Sequence, residues 1–234
     1  MKRKRSRGFE GLAVVFAFTL ASSAAAQVPV TPQQADVLQR PVELLGLDGT
    51  GSDAVTGFLV QAQVPGGIIL IYDECAQPRL EHFSFPRGTL QQGLDYISTT
   101  EVSWRWTYKD GVVLAAHGDA DKTILNTVIR AVDISSRDAL SFAAQKLFLT
   151  PEVQAAVSKA GLEEMVPPIG FSAMQPSGKH SQQESTASQQ KHLQNITLEK
   201  ALNSLAEMHG SAVWRYEQFK CGAKSSYRVG WAGS

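Results

Sequence analysis

The chain has 234 residues, and its 22 Lys and Arg are matched by 22 Asp and Glu. Removing the N-terminal signal described next leaves 208 residues with 17 basic against 21 acidic side chains. No Lys/Arg run then remains to form the basic face that a nucleic-acid partner needs, and the length fits one large domain or two small ones.

Residues 1–26 have the three parts of a secretory signal. Lys2, Arg3, Lys4, Arg5 and Arg7 make a basic start, Leu12 to Leu20 an apolar centre, and Ala24-Ala25-Ala26 a small-residue cleavage site before Gln27. The apolar run is well short of the ~20 residues that cross a bilayer. The expectation is therefore cleavage after Ala26 by general secretion, no membrane span afterwards, and a periplasmic or secreted protein.

Residues 27–39, with Pro29 and Pro32 and no hydrophobic period, read as a flexible leader. Pro41 to Leu47 suits a first strand, Gly49 to Ser52 a loop, and Ser52 or Asp53 the N-cap of a helix that Pro65-Gly66-Gly67 ends. Ile68 to Tyr72 is a continuous apolar run, as in a strand covered on both faces, and Asp73 to Arg79 is a turn. Phe83 and Phe85 alternate before Pro86 and Gly88, which predicts a strand running into a turn. Thr89 and Gln92 have the spacing of a capping box, and Leu90, Gly93, Leu94 and Ile97 line one helix face. Trp104, Trp106 and Tyr108 then alternate with Ser103, Arg105 and Thr107, and Asp110-Gly111 turns the chain into a returning strand, Val112 to Ala116.

Gly118 to Lys122 reads as a joint. Thr123 to Val132, rich in β-branched residues, predicts a strand, and Ser135 or Ser136 a cap for a helix through Phe148. Thr150-Pro151 starts another helix that Gly161 closes. Met174 to His192 has too few apolar groups to offset its ordering entropy and is expected to be a flexible loop.

Near the C-terminus the first pattern returns. Thr197, Leu198, Ala201, Leu202 and Leu205 stand as Thr89, Leu90, Gly93, Leu94 and Ile97 do; after two extra residues Trp214-Arg215-Tyr216 matches Trp104-Arg105-Trp106, and Tyr227 to Trp231 supplies a returning strand. This is an internal duplication. It divides the chain into a first module, 40–117, and a diverged second, 118–234, whose polar loop lies at about 174–192.

The helix Ala54 to Ala62, the strand Gly67 to Asp73, the Gly88-Thr89-Leu90…Gly93-Leu94 helix start and the aromatic hairpin Trp104 to Ala116 together resemble the secretin and TonB short N-terminal domain. The resemblance covers residues 40–117 and, more loosely, 122–232. It implies an α+β fold of two small sandwich modules, βαβ-βαββ in order, with helices packed on short sheets. It also implies docking to a partner protein of the bacterial envelope rather than catalysis. No secretin channel, outer-membrane barrel or receptor plug is expected after these modules, a departure from that family.

No side-chain pattern singles out a catalytic, cofactor or metal site. His82, His117, His180, His192 and His209 have no metal-ligand spacing, Gly170-Phe171-Ser172-Ala173-Met174 lacks the closing glycine of a hydrolase elbow, and no phosphate loop is present. Cys75 and Cys221 either form one disulfide tying the modules together or stay separate thiols. The candidate partner-binding residues are Trp104, Arg105, Trp106, Trp214, Arg215 and Tyr216. Their aromatics are either stacking platforms for a partner or the inner faces of half-buried strands. The reading is a non-enzymatic interaction module without cofactor, docking on a secretion or TonB-type system. The alternative is a secreted ligand-binding protein or hydrolase with a site in the groove between modules.

Overall fold

Residues 36–72, 80–101, 103–118, 123–165 and 189–233 are described in a computed structural model. The expected signal, the turn with Cys75, the joint 119–122 and residues 166–188 of the second module lie outside them. In order, the elements are Pro41–Gly49 (β1), Gly51–Ala62 (α1), Gly66–Tyr72 (β2), Glu81–Thr89 (β3), Leu90–Thr100 (α2), Trp104–Lys109 (β4), Val112–His117 (β5), a 3-10 turn at Ile124–Asn126, Val128–Ser135 (β6), Leu140–Phe148 (α3), Pro151–Ala160 (α4), Leu162–Glu164 (β7), Gln190–Thr197 (β8), Leu198–Met208 (α5), Val213–Cys221 (β9) and Lys224–Ala232 (β10). The fold is α+β, with helices packed on short sheets.

Local chemistry explains most of these limits. Thr89 and Gln92 close the expected capping box on α2. On α1 the cap is Thr50, not Ser52 or Asp53: β1 runs on to Gly49, and Thr50 then exchanges bonds with Asp53 as a second capping box. Neither Ser135 nor Ser136 caps α3, whose N-cap Ala139 has no side-chain bond. Both serines are used earlier: Ser136 N–H donates to Gln189 O at 2.9 Å, Gln189 N–H to Ser136 Oγ at 3.0 Å, and Arg137 N–H to Ser135 Oγ at 3.2 Å. The predicted strand Thr123 to Val132 begins instead with the 3-10 turn, because Thr123 Oγ1 accepts from Leu125 N–H and caps it. The expected leader ends in a helical turn at residues 36–38, with Leu38 buried in a core. The expected loop ends sooner than His192, since Gln190 to His192 pair with Ser135 to Asp133.

Strand pairing reveals one plan used twice. In the first repeat β1 pairs antiparallel with β3, while β4, β5 and β2 form a sheet in that order; in the second, β6 pairs antiparallel with β8, and β9, β10 and β7 repeat the three-strand order. Within each triplet the hairpin is antiparallel and the third strand parallel to its neighbour. The two triplets are fused: β2 pairs in parallel with β9 from Gly66↔Val213 to Tyr72↔Phe219, giving one sheet in the order β4-β5-β2-β9-β10-β7.

The pairings also fix the geometry of the fusion. Strand β4 runs antiparallel to its counterpart β9, yet the lateral order is kept, so one repeat maps on the other by a half-turn about an axis across the strands plus a shift along it. Such a turn exchanges the faces of the sheet. Accordingly Ile68 and Leu70 pack with Trp104, Val113, Phe58 and Leu94 in the first core, while Ile69 and Ile71 pack with Trp214, Tyr216, Leu202 and Leu205 in the second. The all-apolar run of β2 follows from serving a core on each face.

The repeat also has a stricter register than its sequence suggests. Trp106 Nε1–H donates to Asp95 Oδ1 at 3.0 Å and Trp214 Nε1–H to Asn203 Oδ1 at 2.8 Å, partners eleven residues apart in each case. Helices α2 and α5 have the same eleven-residue length. Trp214 and Tyr216 are therefore counterparts of Trp106 and Tyr108, with no extra residues between helix and strand, and the match to Trp104 and Trp106 is corrected. Arg215 corresponds to Thr107.

Candidate functional site

Two places in this framework have functional potential: the polar surface beside the β2–β9 joint and the free edge of β4. The joint follows from the half-turn. Helix α1 covers the first repeat's face of the sheet, and beyond it the same face of β9 and β10 presents Arg215, Glu217, Phe219 and Arg228. Glu217 is 3% exposed and accepts from Arg215 Nε–H at 2.9 Å and from the Arg228 guanidinium on the paired strand. Arg215 also reaches Asp53 Oδ1 at 3.2 Å, at the start of α1. A buried carboxylate needs such partners, because leaving a charge unpaired out of water costs several kcal/mol.

Aromatic rings continue this surface. Tyr72 stacks on Phe219 at 5.1 Å between centroids, and the Arg228 guanidinium lies over the Phe219 ring at 5.4 Å. On the other side His117 stands 5.8 Å from Tyr72 and 5.6 Å from Trp104. Burial, with the nearby Glu217 carboxylate second, pushes the Tyr72 phenol up to about 12. The Nδ1 of His117 is buried without a hydrogen-bond partner among the described residues. Cys221, at the far end of β9, is disulfide-bonded; Cys75 lies outside the described residues. Among the described residues no group of three or more His, Cys, Asp or Glu could hold a metal ion.

The six residues named from the sequence fall into two sets. Trp104, Trp214 and Tyr216 are buried core side chains: Trp104 Nε1–H is bonded to Glu101 and Tyr216 O–H to Gln218 Oε1 at 2.7 Å. Arg105 is exposed, Trp106 half-buried, and Arg215 half-buried in the ion cluster. Sequence reading missed Glu217, Tyr72, Asp53 and His117. For Glu217 a signal exists, since Arg215-x-Glu217 puts opposite charges on one face of a strand; nothing local marks Asp53, which arrives from another repeat.

The edge of β4 is the second place. It is the outermost strand of the six, with neighbour β5 on one side and no paired strand on the other among the described residues. Arg105, Thr107 and Lys109 lie exposed on one face, and Trp106 and Tyr108 half-buried on the other. Its counterpart β9 occupies the same position in its own triplet, but there β2 covers the edge. The consequence is visible in the rings: Trp214 and Tyr216 have no exposure, whereas Trp106 and Tyr108 keep a solvent-facing flank. Among the described residues, β9 thus shows the completed form of an edge that β4 presents without a paired strand.

The chain matches no protein-family model, no curated protein and no solved structure. No helix among the described residues is long and apolar enough to cross a membrane.

Proposed function

We propose that this protein is a non-enzymatic interaction module of the bacterial envelope, exported to the periplasm or beyond, that docks on a partner protein by strand addition at the β4 edge. The observation that supports this reading is the internal pairing of β2 with β9: the edge of this sheet type receives a parallel strand within the molecule, and the equivalent edge of the first repeat has no paired strand among the described residues. An open edge presents unpaired N–H and C=O groups in a row, the template on which extended segments add. The resemblance to the secretin and TonB short N-terminal domain points to the same class of activity. The groove reading has less support, because the charged groups at the joint are engaged with one another.

The test is capture of binders from the producing cell's envelope on immobilised protein, followed by amide hydrogen exchange on the reconstituted complex. A retained secretion or outer-membrane component should slow exchange along Trp104–Lys109, and an Arg105→Glu, Lys109→Glu double variant should lose it. A partner that leaves those amides unprotected would overturn the reading.

A further inference from the structure

The β2–β9 joint also specifies what kind of strand the β4 edge accepts, an inference that rests on the docking reading above. Consider first the aromatic face. Opposite Trp214 stands Gly67, and a Cβ there would meet Trp214 Cζ2 at 2.1 Å and Cε2 at 2.3 Å, so the indole overhangs the neighbouring strand. That pose is held by the bond from Nε1 to Asn203 on α5. Trp106 makes the equivalent bond to Asp95 on α2. By analogy with that joint, the same anchor places its ring over the strand position outside β4, and since the Gly67 position has no room for a Cβ, that position takes Gly. Two residues on, Ile69 lies opposite Tyr216 with both side chains buried in the second core. The position opposite Tyr108 therefore takes an aliphatic residue that would cover the ring's exposed flank.

The other face is set by charge. In parallel pairing, residues directly opposite point to the same side. Arg105 and Lys109 are exposed there, so the residues opposite them are best acidic. We infer that the β4 edge binds, in parallel, an extended protein segment of the pattern acidic, glycine, any, aliphatic, acidic, with the glycine under Trp106. A neighbouring copy of this chain supplies such a strand poorly. Its outer strand β7 has three residues, Leu162–Glu164, and Pro167-Pro168 follow in the sequence without an N–H to give.

The experiment uses acetylated, amidated octapeptides centred on Glu-Gly-Thr-Ile-Glu, titrated into the purified protein with Trp fluorescence and amide exchange as readouts. Binding with protection confined to β4 is expected. Replacing the peptide's Gly by Leu should weaken binding by about tenfold or more, through the clash with the indole. Reversing both acids to Lys should weaken it by about fivefold, and the Arg105→Glu, Lys109→Glu variant should restore the Lys peptide. A reversed-order peptide of the same composition should bind less well, since it would have to run the other way. Equal binding of the Gly and Leu peptides, or of the forward and reversed ones, overturns the proposal. If no such peptide binds while a captured envelope protein still protects β4, the strand chemistry is wrong and edge docking stands; a captured protein that leaves β4 exchanging sinks both. A concentration-dependent dimer that protects β4 would assign the edge to a second copy and also overturn the proposal.

Discussion

Gly67→Ala tests the joint on which the whole arrangement depends. The new methyl would fall 2.1, 2.3 and 2.7 Å from Cζ2, Cε2 and Cη2 of Trp214. The ring has little freedom to yield: it has no exposure, and Nε1–H is bonded to Asn203 at 2.8 Å. Overpacking a filled core costs about 1–3 kcal/mol, and turning the indole aside orphans a buried donor at a further ~1–3 kcal/mol. The expected loss is therefore about 2–6 kcal/mol, a large part of the ~5–15 kcal/mol that holds an ordinary domain together. Gly66→Ala is the control one residue earlier. There the nearest atom is Leu59 Cδ1 at 2.6 Å, the end of a flexible side chain, with Val113 O at 3.1 Å; about 1–2 kcal/mol should suffice. Urea unfolding followed by circular dichroism gives each value. Combining Gly67→Ala with Trp214→Leu should recover more than about 1 kcal/mol relative to additivity, because the shorter side chain removes the clash. A Gly67→Ala cost below about 1 kcal/mol, or strict additivity in the double variant, would mean that the indole does not lie across the joint.

Two further outcomes concern the polar surface beside it. Glu217→Gln keeps the shape but leaves Arg215 and Arg228, each 23% exposed at the side chain, without their shared carboxylate. Solvent reaching the arginines reduces the usual cost of breaking a buried pair, and about 2 kcal/mol in urea is expected; no loss would show the cluster to be ornamental to stability. Tyr72 ionises at 10.0 when exposed and is pushed up to about 12 in the folded protein. A raised pKa means that its contribution is intact below pH 10 and is lost as pH rises from there through about 12. Tyr72→Phe should make alkaline unfolding less steep in that window without abolishing it, since burial also pushes the Tyr227 phenol up to about 12. Parallel curves for the two proteins, recorded by absorbance at 295 nm and circular dichroism, would contradict the burial of this phenol.

How much of this was legible in the sequence depends on the range of the interaction. The capping box of Thr89 with Gln92, the hairpin at Asp110-Gly111 and the C-cap at Gly161 are local, each settled within four residues, and were readable. So was the double coverage of Ile68 to Tyr72, though not what covers it: Ile69 and Ile71 serve a core built largely from residues more than fifty positions later. The alignment of the repeats illustrates the limit differently. Matching Trp-Arg-aromatic letters put Trp214 on Trp104. The fold instead conserves the indole bond to the preceding helix, and that bond selects Trp106. The pairing of Arg215 with Glu217 was a near miss, visible as a two-residue spacing, while its contact with Asp53 depends on the half-turn between repeats and has no local signature.

That half-turn raises a question the molecule must answer. A closed twofold would use up both edges; a half-turn with a shift does not, and repeated application would add copies without end, the geometry that produces filaments. Among the described residues the sheet ends in β4 on one side and β7 on the other, with Arg105 and Lys109 on the first and the exposed Glu163 and Glu164 on the second, so charge alone would favour head-to-tail growth. Pairing length opposes it. The internal joint joins seven residues of β2 to β9, whereas β7 offers three, fewer than a lone strand pair needs to hold in water. Short edge strands and prolines are how sheets avoid edge-to-edge association, and Pro167-Pro168 come where β7 would have to lengthen. The protein should therefore be monomeric in light scattering at concentrations up to about millimolar, the affinity range left to so short a contact. Replacing both prolines by Val should promote concentration-dependent, salt-sensitive growth. If the prolines are irrelevant to association, the replacement will leave the scattering unchanged, and the end of the sheet must be protected by something other than its length.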